Sequence, residues 1–426
     1  MLALANGTRG GFGRLFFCLV ALAGCALAQA AGLAAAPSPV IRVATWNTSL
    51  NRERSGVLVR DLASGTNAQV LAAAAVVRRV DPDILFINEF DYVAGGAAAR
   101  LLRDRYLPQF RHFYTGPSNT GLPSGFDLDN NGRTVGPEDA FGFGRFPGQY
   151  GMLLLSRYPI DAANSRSFQK FRWRDMPGAA WPDAAGSGGR GAWYSEQEKA
   201  VLRLSSKSHW DVPVSVNGRS LHLLLSHPTP PSFDGLEDRN GRRNHDEIRL
   251  WADYLSGGAA AQYLYDDRGR RGGLPGADTP FILLGDMNAD PVDGDSYNKA
   301  IHQILDHRRI NRDAATNDPP HSAGAREAAL EQVGANTRHR GDPSLDTSDF
   351  EDRKVGNFRI DYVLPSANIA VCGSGVFWPA RSDPDAALLA TAAGPISDHH
   401  LVWMDIAISG KCPADYRSRR SMPTGQ

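Results

Sequence analysis

The sequence predicts a layered α/β protein, and three observations carry that reading. Short runs rich in Val, Ile, Leu and Phe have the length of buried strands. A longer stretch at 68–80, AQVLAAAAVVRRV, has helical composition instead. Strands and helices then alternate without a fixed order, and such elements bury their apolar faces by stacking in layers.

Taken along the chain, residues 41–45 form the first strand and 68–80 a helix, which Asp81-Pro82 stops. Residues 84–88 and 151–155 are buried strands, the second leading into Ser156-Arg157-Tyr158-Pro159. Residues 221–226 make a strand ending at His227. The stretch 244–255 reads as an amphipathic helix, with Ile248, Trp251, Ala252 and Leu255 at helical spacing. Residues 281–284, 359–364 and 400–408 supply the remaining strands. Long Gly/Pro/Asp-rich stretches at about 114–150, 160–196, 256–280 and 312–357 separate them. Loops of that length in a compact enzyme are functional or insertional. With no internal repeat and no linker, residues 40–410 read as one domain with insertions, followed by a tail at 411–426.

The first thirty of the 426 residues have the layout of an export signal: Arg9 and Arg14, the apolar stretch 15–23, then small residues. Leu22-Ala23-Gly24-Cys25 resembles a lipobox, which would make Cys25 a lipidated first residue, while Ala28-Gln29-Ala30 fits ordinary signal cleavage. The expected location is therefore periplasmic, extracellular or lipid-anchored at a bacterial envelope, with any membrane contact made through that anchor. Of four cysteines, Cys372 and Cys412 would remain after processing. They either form a disulfide or stay as two unpaired small residues. Lys+Arg and Asp+Glu both total 46, so the chain lacks the global field of a non-specific DNA binder. Only six of the cations are Lys, and a local Arg patch could still grip phosphate in a bidentate way.

The chemistry is concentrated in five polar segments at strand ends: ATWN at 44–47, FINE at 86–89, LLGDMN at 283–288, RIDYVLP at 359–365 and ISDHH at 396–400. Strand ends are where loops converge and sites are built. Acids, amides and imidazoles without a Cys or Ser nucleophile point to a hard metal ion and an activated water. Taken singly, an Asn or Asp after a strand is more often a turn former, and a lone His an ordinary hydrogen-bonded one.

In this order, and together with GMLLLSRYPI at 151–160 and LLLSH at 223–227, the segments resemble the endonuclease/exonuclease/phosphatase superfamily with its DNase-I-like fold. The resemblance runs from about residue 41 to 408. It implies an α/β (α+β) four-layered sandwich, two mixed β-sheets face to face with helices outside. It also implies metal-dependent cleavage of a phosphoester by in-line attack of water. Glu89 would be the principal ligand of Mg²⁺ (or Mn²⁺), with Asn47 beside it and Asp398 a second ligand or outer partner. Asp286 would orient or deprotonate the water, and Asn288 would hold it or a phosphate oxygen. Asp361 would fix the tautomer of His399, whose other ring nitrogen faces the phosphate. His227 would be the acid for the leaving oxygen, a role worth 10²–10⁴-fold.

Two features lie beyond that shared set. DLDNNGRTVGPE at 127–138 fits a calcium-loop pattern, with side-chain oxygens from Asp127, Asp129 and Asn131, the carbonyl of Arg133 and the carboxylate of Glu138. The flanking helices are missing, and the alternative is a solvated Asp/Asn/Gly turn. The run 233–251 places Arg242 and Arg243 where they could clamp phosphate. Asn244 either joins that pocket or is the helix N-cap, with Glu247 completing a capping box. The strip 339–362 could form the opposite wall.

The expected protein is thus a monomeric exported phosphoesterase, acting on a small or lipid-linked phosphate. An extracellular nuclease would keep the same catalytic residues. A surface-anchored binding protein without activity is the reading from another class, and the intact residue set argues against it.

Overall fold

The computed structural model describes residues 40–184, 191–414 and 416. The expected signal segment, Cys25 and most of the tail lie outside the described residues. The strands, in chain order, are β1 (Ile41–Leu50), β2 (Ile84–Phe90), β3 (His112–Tyr114), β4 (Met152–Ser156), β5 (Arg166–Ser167), β6 (His209–Val216), β7 (Arg219–Ser226), β8 (Phe281–Asp286), β9 (Ser348–Asp349), β10 (Asn357–Phe358), β11 (Asp361–Pro365), β12 (Ala370–Phe377), β13 (Ala390–Thr391), β14 (Gly394–Pro395) and β15 (Leu401–Ala407). The helices are α1 (Val57–Ser64), α2 (Ala68–Val80), α3 (Ala97–Tyr106), α4 (Glu196–Val201), α5 (Arg239–Ser256), α6 (Gly258–Ala261), α7 (His302–Leu305) and α8 (Ala323–Gln332).

Two larger sheets organise the described residues. One has the order β12-β15-β1-β2-β4-β3, the other β11-β8-β7-β6-β5. Each is mixed: β1 runs parallel to β2 and β7 parallel to β8, while their other neighbours are antiparallel.

Alternation of side chains along each strand decides the layering. On β2, Ile84 and Phe86 enter the core between the sheets, whereas Leu85 and Ile87 face outward. Met152 and Leu154 on β4, Leu223 and Leu225 on β7, and Ile282 and Leu284 on β8 fill the same middle layer. The outward residues of the first sheet pack under α1, α2 and α3, through Leu58, Leu62, Val70, Val77 and Leu102. Those of the second, Leu224, Phe281 and Leu283, pack under α5 and α7, through Ile248, Trp251 and Ile304. Both sheets are therefore buried on both faces, which is why their strands read as near-continuous apolar runs. The result is the four-layered α/β sandwich that the motifs imply.

Helix α2 has the expected bounds: Asn67 caps its start by accepting from the Val70 N–H, and Asp81 ends it in the left-handed conformation. Helix α5 starts earlier than expected. Asn244 is not its N-cap, because the helix already begins at Arg239, after Asp238. Asp234 satisfies the first turn instead, accepting from the Asn240 N–H at 2.6 Å. A disulfide joins Cys372 on β12 to Cys412, with Cα atoms 5.4 Å apart. No helix among the described residues is long and apolar enough to cross a membrane.

Candidate active site

The pairing registers bring the five segments to one edge of the sandwich. Parallel β1 and β2 deliver Asn47 opposite Asn88, with Glu89 next in line. Antiparallel β15 begins beside the end of β1, so the preceding residues 396–400 stand at the same edge. In the second sheet, β8 ends on Asp286 directly opposite Asp361, the first residue of β11, and parallel β7 ends just before His227. Gly285 makes the close approach possible. At φ 141°, a Cβ there would lie 2.0 Å from the Ser226 carbonyl oxygen and 3.2 Å from the Phe86 ring.

Asp286 is the meeting point. Its Oδ2 accepts from Asn47 Nδ2 at 3.1 Å, and its backbone N–H donates to Asn88 Oδ1 at 3.2 Å, so both contacts cross from one sheet to the other. The same Oδ2 has His227 Nε2 at 3.3 Å and His399 Nε2 at 3.7 Å. Its Oδ1 accepts the N–H of Asn288, whose side chain donates to the Pro228 carbonyl at 3.1 Å. His399 Nδ1 donates to Asp361 Oδ2 at 2.8 Å, which fixes the tautomer. Thr347 supports that carboxylate, donating to the same oxygen at 2.8 Å while accepting the Asp361 N–H.

Burial and charge set the protonation of this group. Burial opposes a charge on His399, but Asp361 and Asp286 outweigh it and hold the imidazolium well above the ordinary histidine range. Burial also resists ionisation of Asp286, and here His399 and then His227 prevail, keeping the carboxyl ionised far below its usual range. Asp361 is raised to about 6, mainly by burial. His227 goes the other way: burial, followed by the Lys207 cation, lowers it to about 4, so the ring is neutral at pH 7. Glu89 is raised to about 7 by burial, and no donor among the described residues bonds its carboxylate. Asp286, Asp361 and His399 place ligand atoms within 4.8 Å of one another. Glu89 lies near enough for Asp286 to act on it electrostatically, and carboxylate and amide oxygens of this kind are what a hard divalent cation takes.

Other expected residues stand differently. Asp398 is exposed and accepts from the Ser49 hydroxyl at 3.1 Å. Arg243 donates to the backbone carbonyls of Leu204, Phe141 and Arg203, and Arg242 lies over the Tyr297 ring. Asn244 is fully buried and donates to the carbonyls of Thr229 and Met287. Glu247, expected in a capping box, accepts the N–H groups of Ser206 and Thr229. In the 127–138 loop, the third clustered carboxylate beside Asp127 and Asp129 is Asp139, not Glu138.

Three contributors escaped sequence reasoning. Asn88 sits inside the FINE segment itself, and Thr347 inside the 339–362 strip, so both were adjacent to a signal. Lys207 had none. It is an isolated lysine, buried to 7% exposure, and its charge acts on Glu89, Asp286 and His227.

A model of the Endonuclease/Exonuclease/phosphatase family matches residues 44–399. No curated protein matches the sequence. Among solved structures, the endonuclease/exonuclease/phosphatase from Beutenbergia cavernae DSM 12333 is similar at 20% identity and TM-score 0.45, covering 86% of this chain and 71% of its own. Sphingomyelinase C from Streptomyces griseocarneus is similar at 14% identity and TM-score 0.45, covering 86% and 99%. D. rerio TDP2, complexed with single strand DNA product, is similar at 12% identity and TM-score 0.41, covering 87% and 99%.

Proposed function

Because this chain belongs to the endonuclease/exonuclease/phosphatase family, we propose that it is an exported, divalent-metal-dependent hydrolase of phosphate esters. The observation that carries the reading is the arrangement around Asp286. One buried carboxylate is faced by Asn47, His227 and His399, with Asp361 behind His399.

In this reading Asp286, held ionised by the imidazoles that face it, orients the attacking water by accepting its hydrogen bond. The cationic His399 is held by Asp361 and offers its Nε2–H to a phosphoryl oxygen, where negative charge grows in the transition state. His227, neutral at pH 7, serves the leaving oxygen as a hydrogen-bonding group rather than as a strong acid. Glu89, with Asn47 beside it, would hold Mg²⁺. Its half-buried carboxylate without a donor fits such a partner. A hard cation bound there supplies Lewis-acid stabilisation of phosphoryl charge. The balanced charge of the chain supports a small or lipid-linked phosphate over a nucleic-acid polymer.

The test is hydrolysis of bis-p-nitrophenyl phosphate by the wild type, Asp286→Asn and His399→Ala, with and without chelator. Chelation should stop turnover, and each substitution should lower kcat by about 10²–10⁴-fold with far-UV circular dichroism unchanged. Near-normal turnover by either folded variant would sink the assignment. Plasmid DNA, sphingomyelin and inositol phosphates run in parallel separate the substrate classes, and preferential cleavage of the plasmid would convert the reading to a nuclease.

A further inference from the structure

The loop at 123–141 carries acidic chemistry that phosphoester hydrolysis does not use. Asp127 folds the turn on itself, accepting the N–H groups of Asn131 at 3.0 Å and Gly132 at 2.8 Å. Asp129 accepts from the backbone and side chain of the same Asn131. The third carboxylate comes from Asp139, eleven residues after Leu128, whose N–H its Oδ1 accepts at 3.0 Å. These three acids place one oxygen each within 4.8 Å of one another.

Acid clusters are common on surfaces, and this one is distinguished by a second observation. Asp139 is only 2% exposed, and its Oδ2 is buried with no hydrogen-bond partner. A carboxylate oxygen withdrawn from water, left without a donor and set beside two further acids is costly unless a cation faces it. The backbone of Gly136 lies close to the same oxygen. A Cβ built on Gly136 would lie 3.2 Å from Asp139 Oδ2 and 3.1 Å from Glu138 Oε2.

We propose that Asp127, Asp129 and Asp139 hold a calcium ion, at a site separate from the divalent site around Glu89 and Asp286. Calcium takes six to eight oxygens at about 2.3–2.6 Å in flexible geometry, so one ion can bridge oxygens spread over this distance. Magnesium keeps most of its waters and uses one or two carboxylates, which makes a three-acid turn a poorer match for it.

The site has a structural consequence. Asp139 continues into Ala140, which bridges to Pro123, and into Phe141, whose carbonyl accepts from Arg243 on α5. The next residue of α5, Asn244, donates to the Met287 carbonyl beside Asp286. Ion binding therefore braces the loop against the helix that supports the catalytic strand end.

The experiment titrates calcium into chelator-treated protein and reads the melting temperature. The wild type should gain roughly 3–5 °C at saturating calcium and less with magnesium at equal concentration. Glu89→Gln should keep the calcium shift, and Asp139→Asn should lose it. Because Trp193 donates to the Leu128 carbonyl at 3.2 Å, terbium bound in the loop should show tryptophan-sensitised emission. Asp129→Asn, a part-exposed position, should abolish that emission even if Asp139→Asn fails to fold. No shift in the wild type overturns the site, as does a shift that survives Asp139→Asn and vanishes in Glu89→Gln. A wild type that shows the calcium shift but hydrolyses no phosphate ester would count against the catalytic reading alone.

Discussion

Glu89, Asn288 and Ser49 take positive φ values of 57°, 49° and 48°, all at the strand ends that form the site. Left-handed backbone costs a non-glycine residue about 1–2 kcal/mol, and such residues cluster where side-chain aim matters more than local stability. The sequence showed which of these residues carry chemistry, since acids and amides at strand ends are visible in one dimension. It could not show their partners. Thr347 reaches Asp361 and Lys207 approaches Glu89 through the fold, and no local pattern encodes either meeting. Charge outside the site also makes a prediction. Burial, followed by Asp290, Asp293 and Asp342, pushes the Asp346 carboxyl up to about 8. The folded chain then keeps a proton that the unfolded chain releases near the usual 3.8, so this group makes folding less favourable as pH rises from about 4 to 8. Asp346→Asn should therefore raise the melting temperature most at pH 8 and above, with the gain vanishing near pH 4. A gain independent of pH would rule out this cause.

At the scale of elements, continuous apolar runs located the central strands, and their ends moved by only a few residues. Strands β6 and β12 passed unnoticed, because Asp211 and Pro213 interrupt one and Gly373 and Gly375 the other. The amphipathic face of α5 was legible, but its start was not. Asn244 and Glu247 have the spacing of a capping box, yet both are buried mid-helix and reach sideways to tie the loops after β7 and β8. A tertiary pin and a local cap share one sequence signature. The junction of β8 with the site gives the sharpest element-scale prediction. Gly285→Ala forces a methyl group against the Ser226 carbonyl, and should destabilise the protein by about 2–3 kcal/mol in urea unfolding. Because Asp286 follows directly, kcat/KM of the surviving folded fraction should fall as well.

For the whole molecule, the order of the motifs carried the fold class, and the layering followed from three apolar clusters separated by two sheets. The insertions were visible as long loops, but their internal order was not. Helix α8 and the β9-β10 pair lie inside one of them. The Cys372–Cys412 bridge closes a 40-residue separation over the edge strand β12. Chain-entropy reasoning gives a loop of that length about 4 kcal/mol. The Cys372→Ser, Cys412→Ser double variant should lose stability of that order in denaturant unfolding while retaining kcat, and denatured wild type should show no free thiol at these positions before reduction.

Asp286 takes hydrogen bonds from Asn47 and gives one to Asn88, and those two residues belong to the opposite sheet. Neither sheet owns a working half of the site. A partly folded chain with both sheets formed but slipped by one residue would present the right residues on the wrong faces. Turnover is thus a register gauge for the whole sandwich. During refolding, activity should return only with the last, tightest docking of sheet on sheet, and never ahead of it.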